Sequence, residues 1–483
     1  MSVGLAMLAV GAVLAASVAL ALGAAKTTLP ALVAFLGLGM VLGSDGPGGI
    51  AFDDATVARE VGIVSLVAIL YEGGLSTSWR RLRTVALPAT LLSTVGVAVS
   101  AALTGCFAHL LFDLSWAEAF LLGSVVASTD AAAVFATLRR TRLRRGLART
   151  LEAESGGNDP VAIALTLGLI AWIERPHYGL DDLIFLVVKQ IGIGLAIGLA
   201  IGLLATWVFA RIPASIASFV PVASAATAAL AFGAADAAQG SGFLSVYLVG
   251  LAVGSTPSRY RGQLVTFHEG IAYVAQVALF IVLGLLVFPS HLPHVALAGI
   301  GLAAGLMFVA RPVAVWASTP FMRFSSRERV LLGWAGLRGG VPIVLGTFVL
   351  SSHLTAADTI FDAVFFVVLV SVVLQGTTLE WLAGRLGLVG ASAPSQPPLA
   401  VSRSGLLDLE EFRVAADHAI AGAAVRELGL PREALVAVVV RDDDPIPPRG
   451  STRIESGDVL FVLVPHGKRA EVEDVFERWR RRV

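Results

Sequence analysis

The run Glu154-Ser155-Gly156-Gly157-Asn158-Asp159-Pro160 concentrates ionisable and oxygen-bearing side chains inside apolar sequence. Ser155 and Asp159 are four residues apart, as are Glu154 and Asn158, so on a helix each pair stacks along one face. Asp159 can ionise, and with Ser155 it offers hard oxygen ligands to a monovalent cation. Asn158 supplies a neutral amide and no second carboxylate. Pro160 has no backbone N–H, which frees the carbonyl of Gly156. The apolar stretch that follows, Val161 to Ile173, is 13 residues long, whereas a bilayer-spanning helix needs about 20. A span must therefore begin near Glu152, placing Glu154, Asn158 and Asp159 at membrane depth. Ionisable groups there mark ion or proton paths. The competing reading, a Gly-Asn-Asp-Pro surface turn, leaves too little apolar chain to cross.

Two more polar groups lie within apolar blocks. Ser128-Thr129-Asp130 is flanked by about ten apolar or small residues before and eight after. Neither half spans alone, so Asp130 falls near the midplane, in a place suited to a broken helix with exposed carbonyls. The bland alternative is a polar cluster joining two helices. Gly336-Leu337-Arg338-Gly339-Gly340-Val341-Pro342 again suggests an interrupted helix. Arg338 needs a counter-ion, and Glu154, Asp159 and Asp130 stand at similar depth; a pair with Glu154 would leave Asp159 free for cargo. A purely structural pair is an equal reading for Arg338. Lys189 and Arg311 also stand in apolar blocks, where snorkelling or ion pairing accounts for them.

These residues have to be positioned by membrane helices. Of 483 residues, 56% are hydrophobic and 14% charged, against about 25% charged in soluble domains. Thirteen apolar blocks run at about 3–23, 29–43, 57–75, 84–112, 117–138, 152–174, 182–210, 214–238, 241–257, 267–288, 294–318, 328–351 and 359–386. Basic clusters at Arg80/Arg81/Arg83, Arg139–Arg149, Arg259/Arg261 and Arg323/Arg327/Arg329 fall mostly on alternate loops. The positive-inside rule then puts the N-terminus outside and the C-terminus in the cytoplasm. Leu121-Leu122-Gly123 in the fifth block and Leu331-Leu332-Gly333 in the twelfth echo each other seven blocks apart, the odd offset of an inverted repeat. The expected architecture is an all-α polytopic membrane protein of about thirteen transmembrane helices in two inverted repeats with discontinuous helices. A small cytosolic α+β module follows. The divisions are a transmembrane domain at 1–388, a Pro/Ser-rich linker at 389–402 and the module at 403–483. In the module, 406–414, 434–440 and 459–464 read as strands, and 417–428 and 471–478 as helices.

Zero net charge gives no sign of a nucleic-acid partner. One cysteine, Cys106, excludes an intrachain disulfide framework. No Walker A or Gly-x-Gly-x-x-Gly run appears, so no cofactor is expected. No nucleophile/base set points to an enzyme. Glu72 stands at the inner end of the third block and is given no role. Two transport readings remain: a cation/proton antiporter, and a ligand-gated monovalent cation channel.

Taken together, these motifs resemble the monovalent cation:proton antiporters of the sodium/proton exchanger superfamily, in the bacterial potassium/proton-like branch that bears a TrkA-C-like module. Asp45-Gly46-Pro47-Gly48-Gly49, Phe267-His268-Glu269-Gly270 and, in the tail, Gly457-Asp458-Val459-Leu460 add to the likeness. The resemblance implies exchange of K+ or Na+ for H+ by alternating access, in the cell (inner) membrane. The cation and proton share Asp159, supported by Ser155, Thr129, Asp130 and Asn158, while Glu154 and Arg338 form a structural ion pair. It further implies a lipid-embedded homodimer, electroneutral stoichiometry, and a small-molecule or nucleotide ligand on the module.

Overall fold

The computed structural model describes residues 2–24, 31–130, 133–134, 138, 143–175, 177–256, 258, 260–389, 407–415, 417–441, 444–465 and 468–479. The chain divides into two compact units, Met1–Ala391 and Ser392–Val483. The expected linker, 389–402, lies outside the described residues apart from Val389.

The first unit is helical throughout, because a chain this apolar must satisfy its backbone within each segment. Its helices are α1 (Val3–Ala24), α2 (Ala31–Leu42), α3 (Ala55–Ser76), α4 (Ala86–Leu111), α5 (Trp116–Val125) and α6 (Arg145–Glu174). Then follow α7 (Leu180–Phe209), α8 (Val220–Ala237), α9 (Gly242–Ser255), α10 (Arg261–Leu286), α11 (Leu292–Ser318), α12 (Ser326–Trp334), α13 (Gly340–Leu350) and α14 (Ala357–Arg385). Among the described residues, eight are long and apolar enough to cross a membrane. α2, α5, α9 and α13 are shorter apolar helices. Helix α6 starts at Arg145, earlier than the expected Glu152, and runs unbroken through Pro160. Glu154–Asp159 consequently occupies positions ten to fifteen of a 30-residue helix, close to its middle.

Two packing groups emerge. Helices α2, α3, α7, α8, α9 and α10 pack on one another, and α4, α5, α6, α11, α12, α13 and α14 form the other group. The Gly194/Gly198/Gly202 face of α7 meets α9, where added Cβ atoms would strike Ser241, Ser245 and Ala252. The inverted repeat is plain in the second group. Ser115 and Glu118 form a capping box at the start of α5, and Ser325 and Glu328 do the same for α12. A Leu-Leu-Gly follows at the same step in each, and each helix then stops short, at Val125 and Trp334. Helices α4 and α11 also match, each carrying one π turn, at Leu92–Gly96 and Leu306–Ala310.

The second unit is a four-stranded antiparallel sheet with order β1-β4-β2-β3, built from β1 (Leu407–Arg413), β2 (Leu435–Arg441), β3 (Asp444–Ile446) and β4 (Val459–Pro465). In register, Phe412 faces Leu460 across β1 and β4, and Val439 faces Leu460 across β2 and β4. Helix α15 (Arg469–Trp479) adds Val475, Phe476 and Trp479 to the core. Arg441 grips buried Asp458 with two hydrogen bonds of 2.9 Å. The helix expected at 417–428 is absent: apart from a 3-10 turn at Val425–Glu427, the segment pairs irregularly with 450–454. Gly422, at φ +92, and its bond to the Ile454 carbonyl at 2.7 Å divert the chain. Tertiary pairing overrides helix propensity here.

Candidate cation and proton site

Between Trp334 and Gly340 the chain is not helical, and the same is true from Ser128 to Asp130. Free carbonyls and N–H groups at membrane depth cost several kcal/mol each, of order 4–8 in hydrocarbon, so each needs a partner. The two breaks supply one another. The Asp130 N–H donates to the Leu337 carbonyl at 2.8 Å. Arg338 Nη1 donates to the carbonyls of Ala127 and Ser128, both at 2.6 Å. The Arg338 N–H donates to Ser371 Oγ, and Gln375 Nε2 satisfies the Trp334 carbonyl at 3.0 Å. Gly339 permits the crossing, because a Cβ there would collide with the Asp130 carboxylate. Asp130 Oδ1 in turn accepts from the N–H of Ala133 at 3.1 Å.

Helix α6 passes beside this crossing. Gly156 and Gly157 let neighbours approach, since side chains there would strike Tyr247 and Ser93. Asp159 is 6% exposed, and its Oδ1 accepts from Ser128 Oγ at 2.5 Å. Ser155 Oγ donates to the Thr129 carbonyl at 2.9 Å. Asn158 Nδ2 donates to Thr129 Oγ1 at 2.6 Å. Asp159, Asp130 and Ser155 line a cavity of about 450 Å³ with Glu72, Thr77, Glu152 and Tyr247. Of the five side chains expected to meet cargo, these three reach the cavity wall. Thr129 and Asn158 are bonded to each other behind it. Ser128, unassigned in the sequence reading, is the hydroxyl that touches Asp159.

The expected Glu154–Arg338 pair is not formed. Arg311 Nη1 lies 2.6 Å from Glu154 Oε1, with both side chains at most 3% exposed. Arg338 is instead occupied by the carbonyls of the broken α5. The physical reason is the π turn at Leu306–Ala310, which ends directly before Arg311. The corresponding turn in α4 holds Ser93, whose Oγ donates to the Glu154 carbonyl at 2.9 Å. Such turns recur at functional sites because they re-aim the side chains around them. Sequence reasoning recognised Arg311 as a membrane-depth charge but did not place it on Glu154.

Residues 12–385 match the family described as sodium/hydrogen exchanger, transmembrane. The chain belongs to this family. Residues 409–477 of the exchanger match the TrkA-C domain. The chain is 39% identical over 465 residues to a K(+)/H(+) antiporter NhaP2 of Shewanella baltica, covering 94% of this chain and 80% of that one. It is 33% identical over 483 residues to a K(+)/H(+) antiporter NhaP of Alkalimonas amylolytica, covering 98% and 83%. The sodium proton antiporter MjNhaP1 of Methanocaldococcus jannaschii, solved at pH 8, shares its fold with a TM-score of 0.70 at 23% identity, over 80% of this chain and 99% of that one.

Proposed function

We propose that the protein is an antiporter that exchanges one monovalent cation for one proton by alternating access at Asp159. The carrying observation is that, of the carboxylates on the cavity wall, Asp159 alone is nearly fully buried, and it lies beside two crossed helix breaks. Burial disfavours an uncompensated carboxylate charge, so Asp159 must hold either a cation or a proton. That exclusion is the elementary basis of exchange. Ser155 and Asp130 supply further oxygen at the wall, while Thr129 and Asn158 hold the broken strand in place behind them. Glu154 and Arg311 serve as the structural pair, and Arg338 as the clamp on the α5 break.

Potassium is the favoured cargo, on the strength of relatives up to 40% identical that are named K(+)/H(+) antiporters; sodium is the comparison ion. We place the protein in the cell inner membrane as a homodimer, with the N-terminus outside and the basic loops and C-terminal module inside. The module binds a small molecule or nucleotide and tunes rate without building the path. The family match favours a carrier over the ligand-gated channel. The test is cation-dependent dequenching of a pH dye in proteoliposomes, with potassium, sodium, lithium and rubidium compared. Asp159→Asn should abolish exchange without loss of fold. Robust exchange by folded Asp159→Asn protein would overturn the assignment, and absence of counterflow in the wild type would return the channel reading.

A further inference from the structure

The cavity wall on α6 includes Glu152, Ser155, Gly156 and Asp159, one helical face at i, i+3, i+4 and i+7, with Ala148 a turn before them. Glu152 lies two turns, roughly 10 Å, toward the Arg145 end from Asp159. It is not a solvated surface acid alone. Thr77, the C-cap of α3, shares its hydroxyl proton between the Gly73 carbonyl at 2.8 Å and Glu152 Oε1 at 3.0 Å. From a third element, α9, Tyr247 lays its ring against Gly156, one turn from Glu152. Tyr247 is 7% exposed, and its buried hydroxyl faces Thr77 without a hydrogen bond of normal geometry. A buried unsatisfied hydroxyl is costly, about 1–3 kcal/mol, and calls for a partner that enters the cavity.

We propose that Glu152, Thr77 and Tyr247 form a second, shallower monovalent-cation site, where cargo is held between the Arg145 end of α6 and Asp159. Carboxylate and hydroxyl oxygens are the hard ligands such an ion takes, and the cavity has room for the water that completes its shell. Two other charges face Glu152. Glu72, whose Oε1 accepts from Ser76 Oγ at 2.7 Å, lies across the same cavity and adds negative potential. Arg149 shares a small neighbouring pocket with Glu152 and limits the depth of the well. A weak site is what transit needs, since an ion held too firmly would not move on.

This proposal extends the antiport reading, and its test separates the two. Binding of rubidium-86 to purified full-length protein is measured in the Asp159→Asn background, with potassium as competitor. That variant should retain one displaceable site, and adding Glu152→Gln should abolish it. Adding Tyr247→Phe, which keeps the ring on Gly156, or Thr77→Val should weaken it about tenfold, or ~1.4 kcal/mol. In otherwise wild-type protein, Glu152→Gln should raise the apparent KM for cation about tenfold while exchange at saturating cation persists. Absence of binding to Asp159→Asn, or binding that survives Glu152→Gln, overturns the second site. Failure of the Asp159 assignment would show separately, as exchange by Asp159→Asn itself.

Discussion

Glu154 and Arg311 should be energetically coupled to a degree that Glu154 and Arg338 are not. The Arg311–Glu154 contact is 2.6 Å long and almost fully removed from solvent. Deleting one member of such a pair leaves an uncompensated buried charge and costs about 3–5 kcal/mol. Deleting both removes the charges together, so most of that cost is recovered. Glu154→Gln and Arg311→Met should each lower the unfolding midpoint of purified protein, followed by tryptophan fluorescence in mild detergent. The double variant should be more stable than the sum of the single losses predicts. Arg338→Met is the control: it loses two charge-assisted hydrogen bonds to Ala127 and Ser128, worth about 1.5–3 kcal/mol each. Its loss should combine with that of Glu154→Gln much more nearly additively. The reasoning fails if the coupling order is reversed, with Arg338 strongly coupled to Glu154 and Arg311 additive.

Ser128→Ala removes the 2.5 Å hydrogen bond to Asp159, a charge-assisted contact worth about 1.5–3 kcal/mol; apparent KM for cation should rise about tenfold or more, and an unchanged value counts against this role. Gly339→Ala drives a methyl into the Asp130 carboxylate, and overpacking of about 1–3 kcal/mol should show as a lowered midpoint together with slowed exchange. Asp45, outside the spans, accepts from Ser290 Oγ at 2.5 Å and Ser290 N–H at 3.0 Å, and these bonds hold its carboxyl below the usual carboxylate range. With the folded value lowered, the tether stabilises above the ordinary value near 4 and weakens as pH falls through the folded one; the Asp45→Asn deficit at pH 7 should therefore vanish in strong acid. A chain ending near Pro394 should still insert and exchange with altered apparent affinity, and a well-folded truncation that never exchanges would make the module part of the path.

Asp159 was legible as a buried carboxylate because three facts of sequence converge on it: a carboxylate, an apolar surround, and too little apolar chain on one side to span. The two helix breaks were legible for the same reason, as polar and Gly-rich runs that neither flank could compensate. Arg311 as the partner of Glu154 was not. Hydropathy fixes how deep a residue lies but not the direction in which its side chain points, and Arg311 and Arg338 are both candidates on that measure. The π turn before Arg311 shifts that direction, and no residue type in Leu306–Ala310 announces it. The same limit explains Asn158 and Thr129, whose types suit cargo but whose azimuths turn them toward each other. In the module, Asp417–Leu428 has helical composition, yet its backbone partners come from Gly450–Ile454, a long-range pairing that local propensity cannot reveal.

Charge balance around the crossing supports one-for-one exchange. Arg311 compensates Glu154 directly. Arg338 donates to the carbonyls of Ala127 and Ser128, in the break that leads to Asp130 and whose Ser128 hydroxyl meets Asp159. At the crossing itself, setting aside Glu72 and Glu152 elsewhere on the cavity wall, Glu154, Asp130 and Asp159 against Arg311 and Arg338 leave an excess of one negative charge. A low-dielectric interior does not tolerate that excess unaccompanied. One monovalent cation or one proton neutralises it, and two together would overshoot. Asn158, neutral and hydrogen-bonded to Thr129, keeps the count at one. Replacing it by aspartate would add a second excess charge and break the bond in which the amide donates. On the proposed function, one-for-one exchange follows from that excess of one, and an imposed membrane potential should leave wild-type exchange unmoved at clamped gradients. Potential-driven net exchange would mean that a further group, outside this crossing, changes charge during the cycle.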